Sequence, residues 1–353
     1  MKLSLKLLAL LVAISLCRQT SAAIFHPNDV ASLITAINTS NTNMEDDTIE
    51  LATNSTYTLT VINNDTNGLP VIGSDGGHKL VIHGNGATLQ RSTAGGTPAF
   101  RIFQIGTGAD VTIDRLTIMN GNQNVPGGEG GGIDNFHATL TITNSTLSSN
   151  SALLGGGIDN NHATLTITNS TLSGNSATAG GGINSDGEAS GSATLTITNS
   201  TLSGNSATTG GGILNSGFDG DATLSIGGTV LNAGGSGANI FNNSGTVTSL
   251  GYNLSSDDGG GFLTGPGDQI NTNPMLGLLQ NNGGPTFTHA LLVGSPAIDA
   301  GRPEFDQRGP EFNRVVNGRI DIGAFEVQPT PTPTITPRPT PTPRPEPTPT
   351  PRP

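Results

Sequence analysis

The tetrapeptide Gly-Gly-Gly-Ile occurs four times, at residues 130–133, 155–158, 180–183 and 210–213, with offsets of 25, 25 and 30 residues. Between these marks runs Ala-Thr-Leu-Thr-Ile-Thr-Asn-Ser-Thr-Leu-Ser-(Ser/Gly)-Asn-Ser-Ala, starting at Ala138, Ala163 and Ala193. Self-similarity at a fixed period of this length is the mark of a stacked repeat architecture, in which one unit cannot bury its own apolar face.

Within one period, 155–179, the alternation of apolar and polar residues gives three short strands, at 157–159, 164–168 and 170–172. Each is too short to stand alone. Stacked one period apart, each pairs in parallel with its copy, at about 4.8 Å. Apolar residues then form columns: Leu140, Leu165, Leu195, Leu224; Ile142, Ile167, Ile197, Ile226; Leu147, Leu172, Leu202, Leu231; and Ile133, Ile158, Ile183, Ile213. Ala152, Ala177 and Ala207 suit a narrower place. Residues 110–121 lie on the same pattern, with Val111 on Leu140, Ile113 on Ile142 and Ile118 on Leu147. The reading is all-β: a right-handed, three-sided parallel β-helix, the hand following the rule for parallel crossovers. A stacked aliphatic core accounts for the absence of Trp and for only 4% aromatic residues.

Around the regular coils, at about 110–232, the chain divides as follows. Residues 1–22 read as a secretory signal peptide, with Lys2 and Lys6 before a short apolar run at 7–16 and small residues at 20–22. The run is too short for a permanent membrane anchor. Lipidation of Cys17 is the disfavoured alternative, because Leu16 stands where such sites want a small residue. Removal of the peptide takes the only Cys with it, so no disulfide is expected. Residues 27–38 predict a capping helix from Val30, Leu33, Ile34 and Ile37 on one face, with Asn28 as N-cap and Asp29 in the first turn. Residues 23–327 form the folded part. The stretch 328–353 alternates Thr and Pro and predicts an extended, disordered tail.

From 23 to 328 there are 8 Lys and Arg against 25 Asp and Glu, a net charge of −17, and no Lys or Arg lies between Leu116 and Gly301. Electrostatic binding of nucleic acid or anionic membrane is thereby excluded. No transmembrane segment is expected.

Candidate site residues fall into several groups. Asn150, Asn175 and Asn205 predict a structural asparagine ladder, and Asn144, Asn169 and Asn199 a second stack. Asp134 and Asp159 stack with Asn184 next, and then Leu214. A Ca²⁺ ion could bridge like charges about 5 Å apart, but the ligand set is thin, and exposed, unpaired carboxylates are the expectation. Asp186 and Glu188 sit in an inserted loop at 185–192, and Asp219 and Asp221 in a loop one coil on, where together they could flank a ligand. His137 and His162 stack without a third member, too few for zinc. No cofactor and no catalytic residue is expected. Arg308 and Arg314, near Asp299, Asp306, Asp321 and Glu326, predict an ion-paired cap on the last coil. The Gly triplets lack the Lys-Ser/Thr of a phosphate loop and read as tight corners.

Three stretches resemble known bacterial surface proteins. Thr-Leu-Ser-Gly-Asn-Ser-Ala followed by Gly-Gly-Gly-Ile resembles the repeats of polymorphic outer-membrane-protein-like β-helices, with Leu147, Leu172 and Leu202 in place of the usual Phe. The run Asn273-Pro274, 281–285, 295–301, 306–309, Arg314 and 321–326 is similar to the choice-of-anchor Q domain, at about 270–327. Ser32-Leu33, Ala36-Ile37 and 47–51 are similar to the opening of the same proteins. Near-identical coils with polar faces need no special site, so the leading reading is a non-enzymatic surface protein, adhesive or structural, with polysaccharide or a host or neighbouring cell surface as partner class. The resemblance implies a secreted or surface-attached β-helix with no established activity. It carries over no catalytic residue. The alternative is a polysaccharide lyase or glycoside hydrolase of the pectin-lyase-like β-helix type, which needs carboxylates close together on one face.

Overall fold

The computed structural model describes residues 22–189, 191–301, 306–309, 312, 315–316, 318 and 320–328. The expected signal peptide, apart from its last residue, lies outside them, as do Arg314 and nearly all of the Thr-Pro tail.

In each regular coil, Leu and Ile at alternate positions turn inward while Thr turns outward, so each strand buries one face only. The strands Thr139–Thr143, Thr164–Thr168, Ser192–Thr198 and Asp221–Gly227 pair in parallel, with Leu140 on Leu165, Leu195 and Leu224 and with Ile142 on Ile167, Ile197 and Ile226. They belong to a nine-stranded sheet. A six-stranded sheet carries the Ile133, Ile158, Ile183 and Ile213 column, and an eight-stranded sheet the Leu147, Leu172, Leu202 and Leu231 column. The result is a right-handed, three-sided parallel β-helix. The earlier register also holds: Val111 pairs with Leu140 and Ile118 with Leu147. Of the small-residue column, Ala152 and Ala207 are buried and Ala177 is half-buried.

The corners explain the polar residues of the repeat. Asn144, Asn169 and Asn199 take φ of 50°, 48° and 49°, left-handed conformations that Asn tolerates. Asn150, Asn175 and Asn205 do a different job. Each is buried, and the Asn150 amide donates to Asn175 Oδ1 at 3.0 Å and the Asn175 amide to Asn205 Oδ1 at 2.9 Å. Their side chains also donate to the carbonyls of Ile118, Leu147 and Leu172. A second ladder, not expected from the sequence, runs inside the third side: Asn135 donates to Asn160 at 2.8 Å and Asn160 to Ser185 Oγ at 3.2 Å.

The N-terminal helix spans Val30–Ser40 and lays Leu33, Ala36 and Ile37 on the first coil beside Ile49 and Leu59. Its N-cap is Asp29, not Asn28. Asp29 accepts from Ser32 N at 2.7 Å, and Ser32 reciprocates in a capping box.

The C-terminal segment departs from expectation in place. Leu276–Gln280 and Thr288–Leu291 form an antiparallel hairpin rather than a further coil. The segment then runs along the outside of the eight-stranded sheet instead of capping the last coil. Gln307 exchanges hydrogen bonds with Thr146 and Thr171, Thr286 donates to the Asn144 carbonyl, and Ala324 N donates to Thr201 Oγ1. On this outer column Thr gives way to Val230, which joins a small separate core with Leu291, Ala297 and Ile322. Ion pairing is as expected for Arg308, whose guanidinium grips Asp306 and lies 4.0 Å and 3.9 Å from the Phe312 and Phe325 ring centres. No helix among the described residues is long and apolar enough to cross a membrane.

Candidate functional site

The acidic column is the site the fold builds. Asp134 on Ile133–Phe136 lies in register with Asp159 on Ile158–Asn161, and Asp159 with Asn184 on Ile183–Asp186; Gln104 of the preceding coil completes the row. Side chains here point away from the aliphatic core, which is why exposure was expected. The structure overturns that. Asp134 is 2% exposed and Asp159 0%. The segments before each Gly triplet stack on one another, with Glu129 bridged to Leu154 and Leu154 to Ala179, and turn back beside the strand so that Gly130 and Gly155 pack against the backbone at Asp134 and Asp159. Glycine makes this approach possible. Gly155 has φ of 62°, and a Cβ on it would stand 2.4 Å from the Ile158 carbonyl oxygen. The next residue, Gly156, faces Gly181 of the following coil equally closely.

Within this space, Arg101 Nη1 donates to Asp134 Oδ2 at 2.7 Å and Gln104 to the same oxygen at 3.2 Å. The Asn184 amide donates to Asp159 Oδ1 at 2.7 Å. Asp134 Oδ1 and Asp159 Oδ2 are buried without a hydrogen-bond partner among the described residues. Oxygens of Glu129, Asp134 and Asp159 come within 4.8 Å of one another. Burial pushes the Asp134 carboxyl up to about 6; Arg101 draws it down and Glu129 adds to the rise. Burial, then the neighbouring Asp134 charge, holds Asp159 well above the usual carboxylate range. Asp134, Asp159 and Asn184 are thus brought together as the sequence register indicated. Glu129 and Arg101 were missed. Their only signal was being the acidic residue beside the first triplet and the last Arg but one before the long basic-free stretch.

The two inserted loops do not open a slot between them. Gly187 N donates to the Ser216 carbonyl and Asp221 N to the Gly191 carbonyl, so the loops stack as one more layer of the solenoid. Glu188 accepts from Ser216 Oγ, and Asp186 accepts from Glu188 N at 2.8 Å. Asp219 occupies a left-handed turn position, with φ of 56°. Asp221 is exposed at the strand edge, paired in register with Ser192.

His137 and His162 stack with ring centres 4.9 Å apart. His162 Nδ1 lies 3.4 Å from His137 Nε2 of the preceding coil, and its Nε2 lies 2.7 Å from the Glu188 carbonyl, so one nitrogen of His162 meets the stacked His and the other the inserted loop. No family model, curated protein or solved structure matches this chain.

Proposed function

We propose that the protein is a secreted or cell-surface β-helix that binds without converting its ligand, in an adhesive or structural role, with polysaccharide or a neighbouring cell surface as the partner class. The observation that carries this reading is the outer face of the nine-stranded sheet. Thr139, Thr164, Thr194, Thr223 and Thr246 repeat coil after coil as an exposed row. Behind it run Thr141, Thr166, Thr196, Ser225 and Thr248. A periodic array of hydroxyls suits an extended, repetitive ligand met through many weak contacts, each small and together selective. The resemblance of the repeat and of residues 270–327 to surface β-helices supports the same reading.

The enzyme alternative asks for paired carboxylates facing a cleft, whereas Glu188 is bonded to Ser216 of the next coil and Asp186 to the backbone of its own loop. A glycan array run beside a panel of uronic-acid polymers tests the proposal. Retention on a polymer with no product is the expected outcome. Product release that disappears in Asp219→Asn or Asp221→Asn protein would replace it with the hydrolase or lyase reading.

A further inference from the structure

From the cluster under the first Gly triplets we infer a binding site for a hard divalent cation of the calcium class, held by Glu129, Asp134 and Asp159. Two independent observations lead there. The first is convergence: an oxygen from each of the three carboxylates lies within 4.8 Å of the others. Three carboxylates against the single guanidinium of Arg101 leave a formal charge of −2, which one divalent ion balances. The second is the pair of buried oxygens without partners. Arg101 and Gln104 occupy Oδ2 of Asp134, and Asn184 occupies Oδ1 of Asp159. Asp134 Oδ1 and Asp159 Oδ2 are the oxygens left over, on residues at most 2% exposed. A buried carboxylate oxygen with no donor carries an unrecovered desolvation cost, and a cation removes it at both oxygens together.

The donor set selects the kind of ion. It is oxygen only, with no His or Cys within the cluster, and hard carboxylates favour Ca²⁺, Mg²⁺ or Mn²⁺ over zinc or copper. Calcium accepts irregular geometry and several carboxylates at once, whereas Mg²⁺ keeps most of its water and demands a regular octahedron. Glu129 is half-buried, the least buried of the three carboxylates. The ion would tie Glu129 to the strands beneath it through the same Asp134 that Arg101 ties to the preceding coil. This site stands apart from the threonine face, so it holds or fails independently of the ligand proposed above.

The test is thermal unfolding of the full chain at neutral pH in EDTA and in millimolar Ca²⁺, Mg²⁺ and Mn²⁺. Ca²⁺ raises the native Tm by several degrees, increasing with concentration, and Mg²⁺ raises it less. Glu129→Gln and Asp159→Asn lose the Ca²⁺-dependent rise. Asp159→Asn still unfolds cooperatively in EDTA, which shows that the variant folds. An unchanged native Tm in Ca²⁺ would overturn the inference and leave a proton shared between the two aspartates. A rise that persists in both variants would place the ion elsewhere and overturn it equally.

Discussion

Asp134 and Asp159 face each other in register on neighbouring parallel strands, both buried, and a guanidinium reaches only Asp134. Without a cation the pair is held by protons. The folded Asp134 carboxyl titrates near 6 against 3.8 for an ordinary Asp, and Asp159 is raised further by burial and by Asp134 itself. A group with a raised folded pKa binds its proton more tightly in the folded state. Its contribution is complete below about pH 3.8 and lost as pH rises through about 6. In EDTA, stability measured by urea unfolding therefore falls by about 3 kcal/mol for Asp134 alone across that window. Asp159→Asn weakens the dependence. A native chain equally stable at pH 4 and pH 7 in EDTA contradicts this.

His289 gives the opposite slope. It is buried against the eight-stranded sheet, with Nε2 2.9 Å from Ser173 Oγ and Nδ1 2.8 Å from the Gly277 carbonyl. Burial lowers its pKa below the ordinary 6.5, and the Gly277 contact only partly offsets that. The folded state thus prefers the neutral ring. Its contribution is present above pH 6.5 and is lost as pH falls through the lower folded value. Acidification loosens the hairpin from the solenoid, which limited proteolysis reads as faster cleavage near residues 281–287. His289→Gln makes the cleavage rate independent of pH in this range. Equal pH dependence in both proteins would show that His289 is not the group responsible.

Asn175→Ala removes the middle rung of the buried ladder. It strands the Asn150 backbone N–H, takes one of two acceptors from the Asn150 side-chain amide, and removes a donor from the Leu147 carbonyl and from Asn205 Oδ1. With about 1–3 kcal/mol for the stranded N–H and about 1 kcal/mol for each further bond lost, the expected loss is about 3 kcal/mol or more. That is as large as the loss of about 2–5 kcal/mol expected for Leu165→Ala in the aliphatic column. Denaturant midpoints compare the two directly, and a loss under about 0.5 kcal/mol in Asn175→Ala would remove the ladder from the account.

Arg308→Lys keeps a charge but gives up the two-pronged grip on Asp306 and the stacking between Phe312 and Phe325. The expected cost is about 3 kcal/mol, confined to the C-terminal segment because that segment lies along the solenoid rather than within it. Hydrogen exchange should rise over 274–301 and leave the Thr164–Thr168 strand protected. Uniform loss of protection across both would show that the two parts unfold together.

Much of this was written in the spacing. A 25-residue period fixed which Leu and Ile share a column, because parallel pairing in register turns a sequence offset into a spatial neighbour. The same logic placed Asp134 over Asp159 and Asn150 over Asn175. Burial was harder to read. Strand alternation puts Asp134 on the outer side, and nothing in a two-residue period reveals that the segment ending in Gly130 turns back beside it. Arg101 and Glu129 join the cluster from outside the regular repeat. The C-terminal segment was misplaced for a related reason: its contacts to Thr146, Thr171 and Thr201 span more than a hundred residues and follow no period. The change from Thr to Val230 on that outer column was the one visible trace.

The acidic cluster is where this chain departs from what stacking alone requires, and calorimetric titration with Ca²⁺ tests it most directly. Saturable binding of a single ion per chain is expected in the native protein, with protons released on binding near pH 6, and no binding in Asp159→Asn. No saturable heat from the native chain, or binding undiminished by the substitution, would contradict it.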